Sequence, residues 1–196
     1  MWPSLLVFVF VATITPGGAT TLATASGTQH GLRRSLPLIA GIATGLASLA
    51  AASSLGLGRL LHAFPALALV LRIAGSGYLL YLAWQVASPG RPDPDSKNMR
   101  RPISFAGGAV LLWMNPKGWA MTLSAAVTFS ALADTPVGLA VKLGAAFGIA
   151  AVISLTSWCV IGKALGQLLH SDRQWQTVNR ALGVLLAASV VGLWLE

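Results

Sequence analysis

An apolar segment running from about Ile103 to Phe129 has the length of a membrane-spanning helix, yet Pro116, Lys117 and Gly118 stand near its middle. Proline removes a backbone donor and clashes with the preceding turn, so the helix must kink or break before it. A lysine at mid-membrane costs roughly 2.5–3.5 kcal/mol on insertion scales. A helix that only had to span would avoid both. The stretch Trp113-Met114-Asn115-Pro116-Lys117-Gly118-Trp119 therefore predicts a discontinuous helix, whose freed backbone groups and charge line a cavity instead of facing lipid. The first apolar segment, from Trp2 to about Ala25, is interrupted in the same way by Thr15-Pro16-Gly17-Gly18, at a similar depth. Two Pro/Gly-interrupted spans at matching places in two halves of a chain point to a transporter binding site.

The remaining composition suits that reading. The chain is 55% hydrophobic and 9% charged, where a soluble domain carries roughly 25% charge. An integral membrane protein of one domain, residues 1–196, is expected. The net charge of +8 does not imply nucleic acid, because the basic residues sit at segment ends and form no basic face with interleaved aromatics. They report topology instead. Cys159 lies alone in an apolar run and allows neither an internal disulfide nor a Cys-rich metal site; it reads as a small packing residue. Ala23-Thr24-Ala25 mimics a signal cleavage site. The preceding stretch has no Lys or Arg and is long for a signal, so a retained span is expected.

Six spans are expected, at about 2–25, 36–58, 64–87, 103–129, 137–162 and 177–195, the last beginning earlier if it starts near Trp175. Arg33 and Arg34 follow the first, Arg91, Lys97, Arg100 and Arg101 the third, and Lys163, Arg173 and Arg180 the fifth. The alternate loops hold only Arg59 and Asp134. The positive-inside rule then makes the first set cytoplasmic and turns both termini outward. The polar, Pro-rich stretch 88–102 is the one cytoplasmic linker. It separates a first repeat, 1–87, from a second, 103–196. Three spans per half make the halves run oppositely, as in an inverted repeat with broken first and fourth helices. Gly41-Ile42-Ala43-Thr44-Gly45 in span two and Gly144-Ala145-Ala146-Phe147-Gly148 in span five are matched small-residue pairs for close helix packing.

The acidic residues Asp93, Asp95, Asp134, Asp172 and Glu196 all lie in loops or at the end. That argues against a transported metal or simple cation, which needs oxygen ligands or carboxylates. His30, His62 and His170 are scattered at segment ends, and no nucleophile–base set can be assembled, so neither a bound metal, a cofactor nor an enzyme is expected. Lys117 sits too deep to snorkel easily; it either meets a ligand or caps the carbonyls of a broken half-helix. Arg72 and Lys142, nearer the outer boundary, read as snorkelling side chains. A cavity with fixed positive charge, helix N-termini and no carboxylate favours a ligand with an anionic group, such as a zwitterion or an organic acid. Thr13, Thr15, Thr20 and Asn115 offer neutral hydrogen bonds, although a membrane Ser or Thr often bonds its own backbone. Trp84, Trp175 and Trp194 sit where interfacial belts are expected, and Trp113 and Trp119 flank the break as packing or gating residues.

At these residues the chain resembles the LysE/RhtB superfamily of amino-acid exporters, over nearly its whole length. Thr15-Pro16-Gly17-Gly18-Ala19 stands at the family's TPGPN, followed by the loop His30-Gly31-Leu32-Arg33-Arg34. Gly75-Ser76-Gly77-Tyr78-Leu79-Leu80-Tyr81-Leu82-Ala83-Trp84 looks like its G-x-x-YLLYLGW run, and Asn115-Pro116-Lys117 matches its NPK motif in full. The resemblance implies six helices in two inverted repeats in a bacterial inner membrane. It also implies export of amino acids or related metabolites, driven by the membrane potential or a proton gradient. Gly18 and Ala19 depart from the family pattern, so the neutral donor-acceptor expected at position 19 is absent. The expected substrate site comprises Thr15, Pro16, Gly17, Gly18, Asn115, Pro116 and Lys117. An exporter of another small anion, and a non-transporting membrane scaffold, are the rival expectations. A homodimer is compatible with so small a protein.

Overall fold

The computed structural model describes residues 1–56, 63–88, 102–191 and 194. The linker, apart from residues 88 and 102, lies outside them, with its arginines, Lys97 and its aspartates, as do Arg59, His62, Glu196 and the side chain of Arg72. Among the described residues, seven α-helices follow in order: α1 (Trp2–Ile14), α2 (Gly18–Ser54), α3 (Pro65–Ala87), α4 (Phe105–Trp113), α5 (Pro116–Thr128), α6 (Pro136–Leu168) and α7 (Asp172–Ala188). A 3-10 turn, Ser130–Leu132, precedes α6. Among the described residues there is no strand. Among the described residues, three helical stretches are long and apolar enough to cross a membrane by length and composition: Gly18–Ser54, Leu69–Ala87 and Pro136–Leu168.

Both predicted interruptions are real breaks. α1 ends at Ile14 and α2 starts at Gly18, while α4 ends at Trp113 and α5 starts with Pro116 at its first position, where a missing N–H costs nothing. The expected boundary between the first two spans takes an unexpected form. α2 runs through it without a loop, apart from Gly31 at φ 71° and ψ 175°. That backbone region is essentially closed to residues with a Cβ. Neighbours show that the chain reverses there. Before Gly31, Thr24 and Thr28 pack against Gly162 and Gly166, so this part runs parallel to α6. After it, Ala47 meets Gly144 and Ala43 meets Gly148, so this part runs antiparallel to α6. The hairpin is tied by a hydrogen bond between Ser26 Oγ and Ser35 Oγ (2.7 Å), with Ser35 Oγ also donating to the Gly31 carbonyl (2.8 Å).

The last helix starts at Asp172, earlier than the hydropathy of 177–195 suggests, because polar side chains build its start. Ser171 Oγ accepts from Gln174 N (3.2 Å) and Gln174 Oε1 accepts from Ser171 N (3.0 Å), a reciprocal cap, and Asp172 in the first turn suits the helix dipole.

Packing rests on glycines that bring backbones into contact. A Cβ at Gly162 would stand 2.0 Å from the Thr24 carbonyl oxygen, and one at Gly41 would stand 2.0 Å from that of Phe105. The two small-residue pairs do not face each other. Gly41 and Gly45 receive α4, whereas Gly144 and Gly148 pack on Ala43 and Ala47 of α2. Pairing is reciprocal across the chain. The first broken helix lies parallel to α6, Thr13 meeting Ser154 and Ile14 meeting Trp158. The second broken helix lies parallel to the later part of α2: Phe105 meets Gly41, Trp113 meets Ser48 and Thr122 meets Ser53. α3 pairs with α7, where Gly183 sits against Ala83 and Ala87.

Candidate functional site

Ending a helix inside an apolar protein strands its last carbonyls, and each must find a donor. At the end of α1, three side chains from other helices supply them. Ser154 Oγ donates to the Thr13 carbonyl (2.8 Å), Trp158 Nε1 to that of Ile14 (3.1 Å) and Lys117 Nζ to that of Thr15 (2.7 Å). At the second break, Trp119 Nε1 donates to the Trp113 carbonyl (2.7 Å), and Asn115 Oδ1 accepts from Lys117 N (3.0 Å) as the N-cap of α5. Trp113 in turn donates to Ser48 Oγ (3.0 Å), and the two indoles meet edge to face at 5.9 Å. Both tryptophans are therefore fasteners of the break.

The breaks lie side by side, and a cavity of about 40 Å³ sits between them. Thr15, Gly17, Gly18, Asn115 and Lys117 line it, five of the seven residues expected from sequence. Pro16 lies in the break but not on the wall, and Pro116 opens α5. Hydropathy gave no sign of the apolar wall, which includes Ile42, Leu46, Leu112, Met121 and Leu155. These come from spans whose positions relative to the breaks only the fold reveals. Thr13 and Thr20 also line it. The threonine hydroxyls bond local backbone: Thr13 to Val9, Thr15 to Val11, and Thr20 to Gly17, whose N–H it also accepts.

The N-terminal turns of α2 and α5 both contribute to this wall, through Gly17, Gly18 and Ala19 on one side and Lys117 and Gly118 on the other. Helix N-termini carry partial positive charge and N–H donors, so two of them beside an ammonium are an arrangement that favours an anionic group over a cation. Gly17 is extended (φ −177°), a conformation open to any residue. What matters there is space, since a Cβ would stand 3.2 Å from Lys117 Cδ. The cavity as it stands holds a few waters at most. Lys142 lies elsewhere, donating to the Leu132 carbonyl (2.6 Å). Cys159 is buried in the core beneath Gly27.

Residues 10–195 match the family model of the LysE type translocator. The chain belongs to that family. The translocator is also similar to the cysteine/O-acetylserine efflux protein of Klebsiella pneumoniae subsp. pneumoniae, with 31% identity over 195 residues, 96% of this chain and 95% of the relative. It is 27% identical to the protein of the same description in Escherichia coli strain K12, over 97% of this chain and 96% of the relative. No solved structure matches it. The translocator is a multi-pass protein of the bacterial inner membrane and an exporter of amino acids. Its family is one of transporters.

Proposed function

We propose that the translocator exports small neutral amino acids, cysteine and O-acetylserine among them, from a site between its two helix breaks. The observation that carries this is the Lys117–Thr15 bond, which ties the second break to the first across the cavity. The substrate carboxylate competes for Lys117 and for the N–H groups of α2 and α5. Asn115, whose Oδ1 is occupied by the α5 cap, offers its amide nitrogen to the same ligand. The wall of Gly17, Gly18, Ala19 and Ala151 leaves room only for a short side chain, and none of the described lining residues is acidic, so lysine and arginine are poor substrates.

The architecture behind this reading is six spans in two inverted repeats. Its support is the reciprocal pairing described above: each broken helix lies parallel to the second helix of the opposite half, and the third helices α3 and α7 pair with each other. In transport, the carboxylate takes Lys117 from Thr15. That frees the end of α1, and one repeat rocks against the other until release restores the bond. The small cavity corresponds to the closed form in that cycle. Counterflow in proteoliposomes tests the reading: labelled cysteine exchanges with internal cysteine or O-acetylserine, and lysine does not compete. Exchange with an organic anion but with no amino acid would overturn the substrate class.

A further inference from the structure

Along α1, before the first break, a groove of about 440 Å³ runs between α1 and α6. Leu6, Phe10 and Val11 line it from α1, and Ala146, Ile149 and Ile153 from α6, with no polar side chain among its described lining residues. In a helix, residues four apart stack on one face. Trp2 therefore lies one turn beyond Leu6 and Lys142 one turn beyond Ala146, at the end of the groove toward the outer boundary. The two meet there, Lys142 Nζ standing 5.8 Å from the centre of the Trp2 ring. One ammonium N–H is used by the Leu132 carbonyl, and an ammonium has two more.

We propose that this groove is a specific site for an anionic phospholipid of the outer leaflet. One acyl chain fills the seam, and the phosphate meets Lys142 beside the interfacial Trp2. The observations that identify the occupant are an ammonium one turn beyond a groove of apolar side chains and a tryptophan beside it, a residue type favoured at headgroup level. A second copy of the chain would have to bring an acidic group to Lys142. The chain has only five acidic residues, and of those described, Asp134 precedes α6 and Asp172 opens α7, so the lipid is the better match. The site adjoins the transport machinery along α1, whose Thr13 and Thr15 line the cavity one turn beyond Val9 and Val11, which line the groove.

Native mass spectrometry of the purified full-length protein, offered equimolar phosphatidylglycerol and phosphatidylcholine, tests this. One phosphatidylglycerol should be retained with about fivefold preference, the advantage expected of one basic residue near an anionic headgroup. Lys142→Gln should erase the preference while leaving the melting temperature unchanged. Ala150→Trp, which fills the seam, should abolish retention of either lipid. Equal retention of the two lipids by the wild type, or a preference that survives Lys142→Gln, would overturn the proposal. So would disulfide-linked dimers forming in membranes through Ile149→Cys, since a second copy would then occupy the groove.

Discussion

Replacing Lys117 by Met removes the charge that links the two breaks but keeps most of the side chain's length. Lys117 Nζ donates to the Thr15 carbonyl at 2.7 Å. A hydrogen bond from a charged group contributes about 1.5–3 kcal/mol. An ammonium–carboxylate pair at about 4 Å contributes about 4 kcal/mol at the effective dielectric of a half-buried site. Exchanging carbonyl for carboxylate therefore favours substrate by the difference, about 1–2.5 kcal/mol, or about 5- to 70-fold in affinity. Lys117→Met should lower the initial rate of counterflow by that factor when substrate is well below half saturation. Membrane levels should hold, because Met removes an insertion cost of roughly 2.5–3.5 kcal/mol. Lys117→Arg should retain part of the rate. A capping lysine that never meets substrate would also slow transport when removed, so a second comparison is needed. The wild type should exchange an amino acid much faster than its decarboxylated amine, and Lys117→Met should lose that discrimination. Undiminished exchange in the variant, or an unchanged ratio between acid and amine, would refute the reasoning.

Other predictions follow from the packing. Gly31→Ala forces a Cβ into a backbone region reserved for glycine, with no neighbour within 4 Å to clash. It should destabilise by about 1–3 kcal/mol, seen as a lower melting temperature in detergent. Gly162→Ala puts a Cβ 2.0 Å from the Thr24 carbonyl oxygen, where backbone must move. It should cost about 3 kcal/mol or more, whereas Gly77→Ala, with open space around it, should be silent on the same melting curve. Ser154→Ala strands the buried Thr13 carbonyl and should cost about 1–3 kcal/mol, again read as a melting shift.

Much of the site was legible because proline, glycine and a deep lysine are costly inside an apolar span, and such costs show in one dimension. The breaks at Thr15–Gly17 and Met114–Asn115, and the meeting of the two, follow from that argument. Of the two roles left open for Lys117, the structure shows the cap. Its Nζ donates to the Thr15 carbonyl, and the ligand role is the one proposed above. Ser154 and Trp158 escaped notice because nothing local marks a residue that serves a carbonyl more than a hundred positions away. The small-residue pairs were visible, but not their partners, since any helix with such a stripe can accept several neighbours. The hairpin at Gly31 is marked by one residue, and hydropathy does not report the sign of φ.

The most direct test of a substrate held between the breaks is a solid-state NMR distance measurement in lipid bilayers, with 15N at Lys117 Nζ and 13C in the substrate carboxyl or the Thr15 carbonyl. Without substrate, the Lys117–Thr15 coupling should be strong, as the 2.7 Å bond requires. With substrate, that coupling should fade while one to the substrate carboxyl appears, at an N···O separation within about 4 Å. A Lys117–Thr15 coupling that persists at saturating substrate, with none to the substrate, would contradict the account.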